Sequence, residues 1–177
     1  AIGNHTYSHP DNLELTTRDE VIDELIKCEQ VLWRIAGKRT DLFRPPKGLV
    51  SESIVKTAAE GGSKTVLWTV SAYHHEARTP KEMARRVLDQ IRPGGIILAH
   101  DGVYPMRWRD VAATPLIIEE LRKQGYRFVT VPELLAMPHA VPVGPPIASK
   151  AKDRRVRGSG PRPPRATAPH ASTASGG

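Results

Sequence analysis

Gly95-Ile96-Ile97-Leu98-Ala99-His100-Asp101-Gly102 is the stretch that decides the fold. Gly95 to Ala99 leaves no room for polar alternation, so it reads as a strand buried on both faces, as in a parallel sheet covered by helices. A loop over His100–Arg109 follows. It leads to a helix through Leu116, Ile117 and Leu121 that closes at Gly125. A last strand over Tyr126–Val131 and a short helix at Pro132-Glu133-Leu134-Leu135 complete the series.

The same alternation runs upstream. Thr17 with Glu20 forms a capping box for a helix over Arg18–Ala36, and Gly37 supplies its left-handed exit. Ile22, Leu25, Ile26, Glu29, Leu32 and Ile35 give that helix one largely apolar face. A short strand Leu42-Phe43-Arg44 ends at Pro45-Pro46, and Ser51 opens a helix that stops at Gly61-Gly62. Lys64–Val70 reads as a mostly buried strand. Thr79-Pro80-Lys81-Glu82 starts a helix carrying Met83, Val87, Leu88 and Ile91, with Pro at its first position. Strands separated by capped helices imply parallel pairing with right-handed crossovers. Four strands would leave open edges, so a (β/α) barrel without its first part fits better than a complete four-stranded domain.

The pattern stops at Pro138. Residues 1–137 form one expected domain, and residues 138–177 an expected disordered tail rich in Pro, Ala, Ser and Arg. The net charge of +7 belongs to that tail: it holds seven Lys/Arg against Asp153, which leaves 19 basic and 18 acidic residues in the body. A near-neutral body without a recognition fold or interleaved aromatics argues against nucleic-acid binding. The single cysteine, Cys28, excludes an internal disulfide and a Cys-based zinc site. No apolar run is long enough to span a membrane. The chain begins at Ala1 rather than at a methionine, and the expectation is that a longer gene product precedes it.

Four stretches carry chemistry. In Gly3-Asn4-His5-Thr6-Tyr7-Ser8-His9-Pro10, histidines at i and i+4 of a helical turn would converge on one metal, with the Thr6 and Ser8 hydroxyls buttressing the rings. The alternative is a pair of surface histidines before a turn. Phe43-Arg44-Pro45-Pro46-Lys47-Gly48 ends a strand where α/β sites form, and would set a cation beside a carboxylate; a solvated arginine in a plain turn is the alternative. His100, just past an apolar strand, suits general acid work, or is a structural histidine bonded to a carbonyl. Trp68-Thr69-Val70-Ser71-Ala72-Tyr73-His74-His75-Glu76 sets an aromatic ring and polar groups on the same rim.

In that order the four stretches resemble the polysaccharide deacetylase family, the NodB-homology domain of carbohydrate esterase family 4, over most of residues 1–137. His5-Thr6-Tyr7-Ser8-His9 is similar to its His-Ser/Thr-x-x-His motif, and Arg44-Pro45-Pro46-Lys47-Gly48 to its Arg-x-Pro-x-Gly motif. Trp68–His75 resembles its tryptophan motif and Leu98-Ala99-His100 its Leu-x-His motif. The resemblance implies a distorted, incomplete (β/α) barrel and a divalent metal, zinc above cobalt or others, held by an Asp with His5 and His9. It implies hydrolysis of acetyl groups on chitin-type, peptidoglycan or xylan chains, outside the cell or in its envelope; a monomer is expected. His100 would protonate the leaving amine, the Lys47 backbone N–H would meet the oxyanion, and Arg44 would orient the base. Trp68, Leu98, Pro46 and Tyr73 would line the substrate.

Two departures from the family pattern bear on activity. The family's first motif, like Thr-Phe-Asp-Asp-Gly, supplies the base and the third metal ligand upstream of the two histidines, and nothing of that kind precedes Ala1. Very low activity is therefore expected of these residues alone. In the tryptophan motif, His74-His75 stands where many members have Asp-Trp, a position whose aspartate helps set the protonation of the catalytic histidine; Glu76 is the expected substitute. A non-catalytic remnant that folds or binds glycan is the competing reading, and polyanion binding through the basic tail a weaker one.

Overall fold

The computed structural model describes residues 1–102 and 104–138. The tail expected over 138–177 falls, Pro138 apart, outside the described residues.

The helix termini form where the capping chemistry puts them. Helix α1 spans Arg18–Ala36; Thr17 and Glu20 make the reciprocal box, and Gly37 leaves at φ 62°. Helix α2 spans Glu52–Glu60, with the Ser51 hydroxyl accepting from the Ile54 amide. Helix α3 runs Pro80–Gln90 behind a second box from Thr79 and Glu82. Helix α4 covers Trp108–Lys123, and the short α5, Val131–Leu135, carries a third box from Thr130 and Glu133. Each box satisfies donors that would otherwise be orphaned at the helix start.

The strands are short and parallel. β1 (Leu42–Phe43) pairs with β2 (Lys64–Thr65), and β3 (Val70–Ser71) pairs with β4 (Ile97–Leu98). Asn4 adds a parallel bridge on the far side of Phe43. Three strand expectations need correction. The run expected over Lys64–Val70 is two strands, because the Val66 and Leu67 carbonyls turn to the Arg44 guanidinium (3.2 and 3.4 Å) before Thr69 reaches Ile96. Ile97 and Leu98 are only half-buried, since β4 has a partner on one edge alone among the described residues. Tyr126–Val131 forms no paired strand among the described residues: the Tyr126 amide returns to the Leu121 carbonyl and Thr130 is committed to capping α5.

Two apolar clusters hold these elements. Leu13, Val21, Phe43, Ile54 and Ala58 join α1, α2 and β1. Val70, Met83, Val87, Ile117 and Leu121 join β3, α3 and α4. Fully buried Phe43 and Met83 each contribute about 1.5–3 kcal/mol by burial. The apolar face expected of α1 is covered only in part, for Val21 is 3% exposed while Ile26 is 51% and Ile35 77% exposed. Among the described residues the parallel pairs close no barrel, in keeping with the incomplete barrel that the sequence implies.

Candidate metal and acid–base site

Parallel pairing brings the C-terminal ends of the strands to one edge, where sites of α/β folds form. His5 follows the Asn4 bridge, Arg44 follows β1, Tyr73 and His74 lie just beyond β3, and His100 lies just beyond β4. Register therefore gathers residues that are far apart in the chain.

The His5–His9 segment is not the helical turn expected of it. Thr6 (φ 68°) and His9 (φ 55°) are both left-handed, and this looped backbone brings the two rings to 5.0 Å between centroids, edge to face. Long-range contacts hold the loop. Buried Asn4 donates from Nδ2 to the Leu25 carbonyl (2.9 Å) and accepts the Thr6 amide at 3.0 Å. Glu24 accepts from the Tyr7 amide (2.8 Å), the Ser8 amide (2.7 Å) and the Ser8 hydroxyl (2.6 Å). Burial pushes the Glu24 carboxyl up, but the bonds from Ser8 and Tyr7 together hold it below the usual range. The hydroxyl roles expected of Thr6 and Ser8 are thus corrected: Ser8 serves Glu24, and Thr6 Oγ1 accepts the His9 amide at 3.2 Å. These groups fix the backbone of the loop rather than its rings.

His5 Nδ1 lies 2.6 Å from the Arg44 carbonyl oxygen. A carbonyl can only accept, so Nδ1 carries the proton and Nε2 keeps its lone pair. An imidazole anchored through one nitrogen with the other free is the arrangement of a metal-ligating histidine. Burial, followed by the neighbouring charges of His9 and Arg44, outweighs the bond to the Arg44 carbonyl and holds His5 below the ordinary histidine value. Its neutral, ligating form is favoured. The donor set of His5 and His9 fits two positions of a divalent metal site. Among the described residues, the three-residue group of metal-binding type is His74, His75 and Glu76, on the exposed rim.

The loop after β1 is fixed by geometry. The Gly48 and Leu49 amides donate to the Pro45 and Pro46 carbonyls, with Lys47 at φ 57° and Gly48 at φ 69°. A Cβ on Gly48 would sit 2.4 Å from the Trp68 ring, so the absence of a side chain lets the indole lie on the loop. The Arg44 guanidinium lies 6.0 Å from the centre of that indole. Pro46 is fully buried, which corrects its expected place at the substrate; it shapes the loop from inside. Tyr73 is 49% exposed and Leu98 half-buried, both at the open edge.

His100 has a partner that the sequence did not reveal. Asp110, in the first turn of α4 and 1% exposed, accepts the His100 amide at 3.3 Å through Oδ1, which also lies 4.0 Å from His100 Nδ1. Arg107 faces the other carboxylate oxygen at 3.6 Å and lies 4.8 Å over the Tyr73 ring. Burial, then the Arg107 charge, holds His100 below the ordinary histidine value, while Asp110 pulls it the other way. Glu76, expected near His100, is 79% exposed and lies 3.7 Å from His74 and from His75. The carboxylate beside His100 is Asp110.

Residues 1–66 match the family model for polysaccharide deacetylase. A peptidoglycan-N-acetylglucosamine deacetylase of Bacillus cereus is 37% identical over 133 residues, 75% of this chain and 48% of that protein. A chitooligosaccharide deacetylase of Azorhizobium caulinodans is 32% identical over 75% of this chain and 68% of its own length. In crystal structure, the CE4 family pseudoenzyme of Bacillus anthracis superposes with a TM-score of 0.68 at 31% identity, over 75% of this chain and 45% of that one. The fold and the motif order define a carbohydrate esterase domain of the NodB type. The chain belongs to the polysaccharide deacetylase family, and it spans about half the length of the Bacillus cereus relative.

Proposed function

We propose that these residues belong to a metal-dependent deacetylase acting on N-acetylated glycan, of peptidoglycan or chitooligosaccharide type, at the cell envelope or outside the cell. The observation that carries the reading is the convergence of His5 and His9, with His5 Nε2 left free by the bond to the Arg44 carbonyl. The relatives named above support the substrate class. The domain occupies residues 1–137 and acts as a monomer. Among the described residues no helix is long and apolar enough to cross a membrane.

His5 and His9 would hold a divalent ion, zinc in the first instance. Its chemistry there is that of a Lewis acid, drawing charge from an acetyl carbonyl oxygen and lowering the pKa of a water toward about 7. The residues of the chain do the rest. The Lys47 N–H, held in its left-handed turn, donates to the oxyanion. His100 gives its proton to the leaving amine nitrogen. Trp68, Leu98 and Tyr73 border the acetyl group, and Arg44 fixes a base through its charge.

The 177 residues contain no Asp-Asp pair, so very slow acetate release is expected of them alone. Joining a segment that carries the family's Asp-Asp motif ahead of Ala1 tests the reading. Zinc-dependent acetate release from chitooligosaccharide or peptidoglycan, lost in His100→Ala, is the expected result. A folded chimera that releases none overturns it. The similarity to a pseudoenzyme favours a second reading, a non-catalytic glycan-binding domain. Saturable glycan binding by an inert chimera is the result that reading predicts.

A further inference from the structure

We infer that Asp110 is the positioning residue for His100, fixing the segment that carries it and the nitrogen that holds its proton; this rests on the proposed acid role of His100. Asp110 is 1% exposed, and its Oδ2 has no hydrogen-bond partner. Burying a carboxylate costs several kcal/mol unless other groups compensate. Three groups converge on this one: the His100 amide at 3.3 Å, the His100 ring nitrogen at 4.0 Å and the Arg107 guanidinium at 3.6 Å. The start of α4 adds its own positive end, for Asp110 lies in the first turn. The carboxylate thus ties the end of β4 to the start of α4. It also holds Arg107 over Tyr73, which closes one side of the rim.

The ring follows from this arrangement. A carboxylate facing Nδ1 favours a proton on that nitrogen, and the lone pair of the neutral ring is then on Nε2. The charged or titratable groups that act on His100 are Arg107, Asp110, His5 and Arg44. Three of the four are cationic when charged, so Asp110 is the one group among them that stabilises an imidazolium there.

Nitrogen-15 NMR of the 177-residue chain reads the tautomer and titration of His100 without substrate or metal. The wild type is expected as the Nδ1–H tautomer, and Asp110→Ala as a mixture shifted toward Nε2–H. Asp110→Asn keeps an acceptor for the backbone amide but loses the charge, so His100 titrates lower than in the wild type. An Nε2–H wild type overturns the inference, as does a His100 whose tautomer and titration are the same in all three proteins. If neither variant folds, the wild-type tautomer alone decides. Failure of the chimera to release acetate would sink the enzymatic reading and leave this result untouched, so the two failures are distinguishable.

Discussion

Gly48→Ala tests how the Arg44–Gly48 loop is joined to Trp68. Two costs add. Gly48 lies at φ 69°, where a Cβ costs about 1–2 kcal/mol. The new Cβ would lie 2.4 Å from the indole, about 1 Å inside ordinary contact, and displacing a packed ring costs about 1–3 kcal/mol. The sum is about 2–5 kcal/mol, or a Tm lower by roughly 10 °C for a domain of this size. Removing the ring separates the two costs. In a Trp68→Ala background, Gly48→Ala should cost only the backbone part, leaving a coupling of about 1–3 kcal/mol in the double-mutant cycle. Denaturant unfolding followed by circular dichroism measures all four proteins. Equal costs with and without Trp68 would refute the contact, and with it the claim that the glycine seats the indole on the loop.

Further outcomes follow from the loop and from the histidines. Glu24→Ala removes the acceptor of three hydrogen bonds and should cost about 1–2 kcal/mol in urea unfolding, after allowance for solvent exposure. Glu24→Gln, which keeps one acceptor oxygen, should cost less. His5 and His100 are both held below the ordinary histidine value, so the unfolded chain binds more protons as pH falls through the ordinary range near 6.5. Stability should therefore fall as pH drops from about 7 toward the lowered folded values, and level off below them. The His5→Gln, His100→Gln double variant should flatten that slope; an unchanged slope in thermal unfolding between pH 5 and 7 would contradict the assignment.

Much of this molecule is legible one segment at a time. Thr17 with Glu20, Thr79 with Glu82 and the exit at Gly37 fix helix ends because the capping chemistry is local. The strands are less legible, since a strand is defined by what it pairs with. Lys64–Val70 looks continuous until Arg44 takes two of its carbonyls, and Tyr126–Val131 has a strand's composition but ends committed to neighbouring helices. The site divides in the same way. His5, His9, Arg44 and His100 stand in recognisable motifs. Asn4, Glu24 and Asp110 do not, because each acts through a contact made only on folding. Asp110 in particular is indistinguishable in sequence from any acid in the first turn of a helix, where the dipole alone would favour it. Its burial and its distance from His100 single it out, and no sequence pattern encodes either.

The most direct test of the central claim is to add zinc to the 177-residue chain and follow its histidine ring resonances by NMR. His5 and His9 are expected to respond first, and either His5→Ala or His9→Ala to abolish the response of the other. Zinc that moves only His74 and His75, unchanged by either substitution, would place the metal on the exposed rim and contradict the account.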